Sequence, residues 1–326
     1  MIYNNKKSNE NFGLSTKPLI TIVGVLGKQG RGAAISLLKS GHFRVRGITR
    51  RINAPEALSL VNMGMEIVNL PLNIGYQNEY EQAFRGSYGV FLMTPNLPPP
   101  AVFEYELGCQ LAQAALKARA QYILFSSLEN VAKISGGSLL APHFTDKAKI
   151  ESYIRSLPIS SAFIMPAFFY TNFLEFYNPA QKNNQLEFPI YLPEDFRAPF
   201  VDPLTAIGPA VREIFTHPQQ YASQSLPVIG EWLTPIEIVN TFTKVTGQKA
   251  VYRSAYSRDQ LLECFPEFKD NDGLVQEITD MTQYAVQYGY YRHDRNLQWS
   301  MHLNPTPFSW QQFLEVSKWR GQKSKI

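Results

Sequence analysis

The sequence predicts an α/β fold: a Rossmann-like doubly wound parallel sheet with a smaller, interleaved C-terminal α/β lobe. Two observations predict it. From Pro18 to about Met165, short apolar runs alternate with helix-patterned stretches, as in strands joined by crossover helices. After Pro166 the texture changes, with aromatics and prolines clustered in PAFFYTNFLEFYNP and EFPIYLPEDFRAPFVDP. The length of 326 residues fits two lobes, or one large α/β domain with an insertion, at about 100–200 residues per domain. The expected division is a flexible polar tail over 1–17, a nucleotide-binding domain over 18–165 and a smaller lobe over 166–326 that returns elements to the sheet.

Leu19–Val23 is apolar except for Thr21, as in a strand buried on both faces. Gly30–Ser40 places Ala33, Ala34, Leu37 and Leu38 at helical spacing, and Gly41 stands where a helix end favours a left-handed residue. Phe43–Thr49 alternates as a strand. Pro55–Met63 is a short helix opened by proline. Met65–Val68 and Tyr88–Met93 are strands, Ala101–Ala118 a long helix, and Tyr122–Ser126 the fifth strand. Helix Phe144–Arg155 leads to strand Ser161–Met165. Beyond it, helix Leu204–Phe215 and strand Ser225–Ile229 rejoin the sheet, and Thr234–Thr246 and Ser257–Cys264 are helical.

A hydrophobic fraction of 44% against 18% charged residues supports a sizeable core and excludes global disorder. Net charge is +4, too mild and too dispersed to indicate nucleic acid. Cys109 and Cys264 build no disulfide framework or metal cluster, so no metal site is expected and a reducing compartment fits. The polar N-terminus lacks a secretory pattern and no run is apolar enough to span a membrane. A cytoplasmic protein is expected.

The strongest local signal is Gly24-Val25-Leu26-Gly27-Lys28-Gln29-Gly30, between the first strand and the first helix. Glycines there permit a tight turn and let backbone N–H groups approach a pyrophosphate, while the helix N-terminus favours the anion. The spacing is GxxGxxG, that of short-chain and extended dehydrogenases. At the end of the second strand, where a carboxylate would bind the ribose of NAD, the chain reads Thr49-Arg50-Arg51. A guanidinium there pairs with the 2′-phosphate of NADP. Arg50 is the expected contact, Arg51 a weaker one, with Lys28 adding charge on the same side.

Residues 18–320 resemble the NmrA-like family of atypical short-chain dehydrogenases, and most of all its NADPH-sensing regulators. GVLGKQGRGAAISLL, FRVRGITR, GVFLMTP, YILFSSLENV, PHFTDKAKIESYIR and MPAFFYTNFL carry the resemblance. It implies NADP(H) under a cleft roofed by the C-terminal lobe. It places Leu26 to Gly30 on the pyrophosphate, Thr94 and Pro95 along the cofactor's path, and Lys147 at the nicotinamide ribose. Phe168, Phe169 and Asn172 lie against the nicotinamide end. Many relatives carry Gly-Asp after the third strand; here Leu70-Pro71 stands instead, which removes an adenine-side carboxylate.

Ordinary short-chain dehydrogenases place a tyrosine four residues before the lysine, on one helix face. Here that position is His143, so the ribose-binding half of the pair is kept and the phenol is absent. His143 could act as acid or base, or pack and hydrogen-bond as the resemblance to regulators implies; Lys147 could itself serve as a base. Ser126 and Ser127 stand where such enzymes place a serine. His42, His217, His293 and His302 are expected to be solvated or capping. Lys6-Lys7 and Arg292-His293-Asp294-Arg295 read as ordinary surface, and the aromatics of 163–177 as part core, part pocket.

The expected role is a redox sensor responding to the NADPH/NADP ratio and presenting a surface to a regulatory protein partner. The alternative is an NADPH-dependent reductase of quinones or related carbonyl compounds, which a missing tyrosine with a retained Lys147 does not exclude. A purely structural role is disfavoured by the intact glycine loop. Neither nucleic acid nor membrane is an expected partner, and a homodimer is compatible with the chain.

Overall fold

The computed structural model describes residues 17–95 and 103–323. The expected tail up to Thr16, with Lys6-Lys7, and the proline tract Leu97–Pro100 lie outside those residues. The first part of the chain alternates strand and helix throughout: β1 (Leu19–Val23), α1 (Lys28–Ser40), β2 (Arg44–Thr49), α2 (Pro55–Asn62), β3 (Glu66–Asn69), α3 (Gln77–Phe84) and β4 (Gly89–Leu92). Then come α4 (Glu104–Lys117), β5 (Tyr122–Ser126), α5 (Val131–Ile134), α6 (Pro142–Ser156) and β6 (Ser160–Pro166). Every residue of β1 and β5 is buried, as runs without polar alternation require in a sheet covered on both faces. The one polar side chain of β1, Thr21, meets the Ser87 hydroxyl at 2.7 Å, so its burial is compensated.

The next stretch holds β7 (Phe168–Phe169), α7 (Asn172–Glu175), β8 (Ala180–Lys182), β9 (Gln185–Ile190), β10 (Ala198–Val201), α8 (Pro203–Thr216), α9 (Pro218–Tyr221) and β11 (Ser225–Val228). The chain ends with β12 (Glu231–Leu233), α10 (Pro235–Thr246), β13 (Ala250–Ser254), α11 (Arg258–Cys264), α12 (Asp272–Tyr288), α13 (Trp299–Leu303) and α14 (Trp310–Ser317). A seven-stranded sheet runs in the order β11-β6-β5-β4-β1-β2-β3, and all its pairings are parallel. β11 rejoins it at one edge, as expected for Ser225–Ile229. Two three-stranded sheets, β12-β10-β7 and β13-β9-β8, belong to the later part of the chain. Separate apolar cores fill the spaces about the main sheet and beneath the aromatic cover, the latter rich in Phe and Tyr from 168 onward.

Strand order reverses about β1, with β2 and β3 on one side and β4, β5, β6 and β11 on the other. That switch point opens a crevice at the carboxyl ends of β1 and β4, where open α/β sheets take ligands. α1 begins at Lys28 rather than Gly30, and α6 at Pro142 rather than Phe144. α3 and the helices after residue 270 were not anticipated. α12 buries Thr279, Asp280 and Thr282 beside its apolar side chains, and such polar residues blur a helical stripe.

Candidate functional site

The turn after β1 is built by its glycines. Gly24 has φ +66°, a left-handed conformation that disfavours side chains. A Cβ on Gly30 would stand 2.5 Å from the Gly24 carbonyl oxygen, so only glycine lets α1 start this close to the strand. Gly27 occupies the N-cap position of α1; no side chain caps the helix and no acid stands in its first turn. Gly24, Leu26, Gly27, Lys28, Gln29 and Gly30 therefore form a turn whose first-turn N–H donors are open to an anion. Arg50 and Arg51 stand exposed just past β2. The arginines within β2 are engaged instead, Arg44 and Arg46 both meeting Glu66.

Beside the turn, at the carboxyl ends of the sheet, lies a cavity of about 480 Å³. Lys28, Gln29, Thr94, Ser126, Ser127, His143, Lys147, Asn172 and Glu277 are its polar lining. Its other surfaces come from Phe168, Phe169, Phe176, Tyr177, Ile278, Met281 and similar side chains. The polar lining is internally ordered: Ser126 Oγ donates to Gln29 Oε1 at 2.8 Å, tying β5 to α1. Pro95 follows β4 and is half-buried, but it is not among the residues lining the cavity.

Lys147 is set by α6 and by a carboxylate from α4. Its Nζ is ion-paired with Glu104 and donates to Thr94 Oγ1 at 2.9 Å. Thr94 Oγ1 in turn donates to Glu104 Oε1 at 2.5 Å. Glu104 is fully buried, and its Oε2 has no partner among the described residues. One helical turn before Lys147, His143 Nδ1 meets the Glu277 carboxylate of α12. The phenol of Tyr177, also on the cavity, is pushed up by burial and further by the charge of Glu277.

Of the site residues expected from the sequence, Lys28, Gln29, Thr94, His143, Lys147, Phe168, Phe169 and Asn172 line one cavity. The aromatics of 163–177 divide as expected. Phe168 packs edge-on against Tyr290 at 4.5 Å and borders the cavity, while Tyr170 stacks with Phe200 in the core. Lys28 Nζ is ion-paired with Glu175 of α7. One expectation is corrected: the run Arg292–Arg295 is not all solvated surface. Arg295 grips the buried Glu129 with Nε at 2.6 Å and Nη2 at 2.8 Å, although Arg292 and Asp294 do pair in solvent. Of the histidines, His217 Nδ1 lies 2.9 Å from Glu213, and His302 Nδ1 lies 3.0 Å from the Gln298 carbonyl.

Glu104 and Glu277 were missed. The first had a signal, since Glu104 shares a helical face with Leu107 and Leu111, all buried, and a carboxylate on an apolar stripe needs a counter-ion. Glu277 lies one residue before Ile278 in a helix that was not foreseen.

A parallel doubly wound sheet, a glycine turn at its switch point and a covered cavity at the strand ends define a Rossmann-like protein of the atypical short-chain dehydrogenase type. The chain belongs to the NmrA-like family, whose model matches residues 16–319. An Aspergillus hancockii protein, NmrA-like family domain-containing oxidoreductase hkm9, is 31% identical over 285 residues, 80% of this chain and 84% of its own. Among solved structures, Nmra, a negative transcriptional regulator, in complex with NADP, superposes with a TM-score of 0.71 at 18% identity, over 91% of this chain and 94% of that one. The Escherichia coli NADPH-dependent quinone oxidoreductase QOR2 in complex with NADPH gives 0.72 at 14%, over 92% and 99%. At these identities the two structures establish the fold.

Proposed function

We propose that this protein binds NADP(H) and reduces a small, largely apolar acceptor, a quinone or a related carbonyl compound. The observation that carries this reading is the cavity: about 480 Å³, within the range of about 300–1,000 Å³ common for small-molecule sites. It has one polar wall and several aromatic ones. Occupation by a flat unsaturated ring is what such walls favour. The glycine turn fits the pyrophosphate, Arg50 the 2′-phosphate, and Lys147 with Thr94 the nicotinamide ribose. Solved relatives in the same fold hold NADP or NADPH, and Nmra has also been solved with NAD. A reduced dinucleotide supplies the hydride. The chain's own residues orient it, keep water from the apolar side of the chamber and hold protons at His143 and Lys147. Oxidation of NADPH against a set of naphthoquinones and aromatic ketones, followed by absorbance, tests the reading; no oxidation with any of them would sink it.

A second reading, a redox sensor responding to the NADPH/NADP ratio and passing its state to a protein partner, is favoured by the Lys28–Glu175 ion pair. It links the glycine turn to α7, so a ligand that draws Lys28 away alters contacts at a distance from itself. Nmra, named a negative transcriptional regulator, supports that reading. Hydrogen exchange in α7 with NADPH and with NADP separates the two: a sensor shows different protection with each nucleotide and no turnover.

A further inference from the structure

The geometry points to His143 as the proton donor of the reduction and to Glu277 as the residue that positions it; the inference rests on the reductase reading. α6 begins at Pro142 after Ala141 in a left-handed conformation, φ 35° and ψ 70°, with no side-chain cap of its own. Glu277 supplies that lack from α12. Both its oxygens lie 3.4 Å from the His143 backbone nitrogen, and one of them meets ring Nδ1. Both side chains are largely buried, and both line the cavity with Ser126, Ser127 and Lys147. With Nδ1 committed to a carboxylate, Nε2 is the ring nitrogen left for a ligand, the arrangement by which a carboxylate fixes a histidine's tautomer and orientation.

Competing groups near the ring are otherwise engaged. Asp280, three residues after Glu277, accepts from the Leu140 backbone at 2.8 Å and from Gln276 at 2.6 Å. Glu104 is taken by Lys147 and Thr94. Of the cavity tyrosines, Tyr290 donates its hydrogen bond to the Pro166 carbonyl at 2.8 Å, and burial pushes the Tyr177 phenol up, which makes it a weaker acid. His143 thus fills the place of the absent phenol. The acceptor receives a hydride from the reduced nicotinamide, which is oxidised, and its oxygen is left anionic. The Nε2–H bond of the imidazolium breaks, an O–H bond forms on the acceptor, and the neutral ring regains a proton from water. Glu277 offsets the ring's charge before that transfer and keeps the ring aimed.

A mere helix cap would give a different result. Steady-state reduction of 1,4-naphthoquinone by NADPH is measured for the wild type, His143→Ala, His143→Gln and Glu277→Gln. Loss of a general acid costs roughly 100-fold or more in kcat, so both His143 variants fall by that factor with KM changed by no more than about threefold. Added imidazole restores at least about tenfold of the loss in His143→Ala, where a space is opened, and not in His143→Gln, where the space is filled. Glu277→Gln loses about tenfold in kcat through lost orientation. Independently of turnover and of nucleotide, the ring 15N spectrum of the neutral His143 shows the Nδ1–H tautomer in the wild type and a mixture of tautomers in Glu277→Gln. Undiminished kcat in His143→Ala, absence of imidazole rescue, or an Nε2–H ring in the wild type would each overturn the assignment alone. A wild type that reduces nothing overturns the reductase reading and the assignment with it.

Discussion

Lys28, the first residue of α1, is ion-paired with Glu175, the last residue of α7. The pair joins the glycine turn to the aromatic segment that closes the cavity, and its two side chains are 25% and 16% exposed. At that exposure the pair stabilises the fold by no more than about 1 kcal/mol, so its consequence is expected in binding. Glu175→Gln is expected to free Lys28 for the pyrophosphate of the proposed dinucleotide. NADPH should bind several-fold more tightly to that variant, while Lys28→Ala should weaken binding. Calorimetric titration of both variants checks the signs; tighter binding by Lys28→Ala would refute the idea.

Cofactor choice should follow Arg50. It stands exposed at the end of β2, and a charge-assisted contact to the 2′-phosphate is worth roughly 1.5–3 kcal/mol. NADP(H) is therefore expected to bind at least about tenfold more tightly than NAD(H). Arg50→Ala should remove the preference by weakening NADP(H) and leaving NAD(H) nearly unchanged. Equal affinities in the wild type would end the argument.

The parallel sheet was legible because its strands carry their own signal. LITIV and YILFS are buried on both faces, need no partner to be recognised, and were placed to the residue. Gly24 to Gly30 was legible because backbone conformation restricts residue choice there. The polar wall of the cavity was legible through α6, where helical spacing puts His143 and Lys147 on one face. What stayed hidden was whatever depends on distant pairing. Glu277 acts 134 residues from His143, and Glu129 is held by Arg295 through a contact across the fold. β7, two residues long, exists only because β10 lies beside it. No local period can announce such elements.

Close packing of α1 on α8 should make two glycines intolerant of change. A Cβ on Gly32 would stand 2.3 Å from the Leu204 carbonyl oxygen, and one on Gly208 2.4 Å from the Gly32 carbonyl oxygen. Alanine favours a helix over glycine by about 1 kcal/mol, but the obstructing atoms are backbone and cannot rotate aside. Overpacking of this kind costs about 1–3 kcal/mol. Gly208→Ala and Gly32→Ala should both lower the denaturation midpoint. Gly136→Ala is not a fair control, since its φ of +63° brings strain of its own. A midpoint unchanged or raised in both variants would show that the helices can separate at little cost.

The buried pair of Lys147 with Glu104 should be costly to break and cheap to replace. Glu104 is fully buried and the Lys147 side chain is 12% exposed, so removing one partner strands a charge. Glu104→Ala is expected to destabilise by about 3–5 kcal/mol. Replacing both, Glu104→Leu with Lys147→Met, removes the stranded charge and should recover most of that loss, while nucleotide binding stays impaired for want of the ammonium. Urea denaturation of the single and double variants gives the comparison. A double variant no more stable than Glu104→Ala would mean that shape, and not charge, holds this corner of the fold.

Alkaline pH should unfold the protein through its buried phenols. Burial raises Tyr177, Tyr191, Tyr290 and Tyr291 well above the usual tyrosine range, with nearby Glu277 adding to Tyr177 and Glu129 to Tyr290 and Tyr291. Tyr170 is raised likewise by burial and then by Glu231 and Asp202. The folded-state values exceed the unfolded one of about 10, so above that pH the unfolded chain gives up phenolic protons that the fold retains. The stability linked to these groups is whole below about pH 10 and falls as pH rises towards the folded-state values, the slope growing with each tyrosine that ionises only on unfolding. Tyrosinate absorbance should therefore appear in two parts: exposed rings near pH 10 with the fold intact, then buried rings in step with the loss of helical circular dichroism. Titration of all 17 tyrosines in one phase, with the circular dichroism unchanged, would contradict the packing described for the aromatic cover.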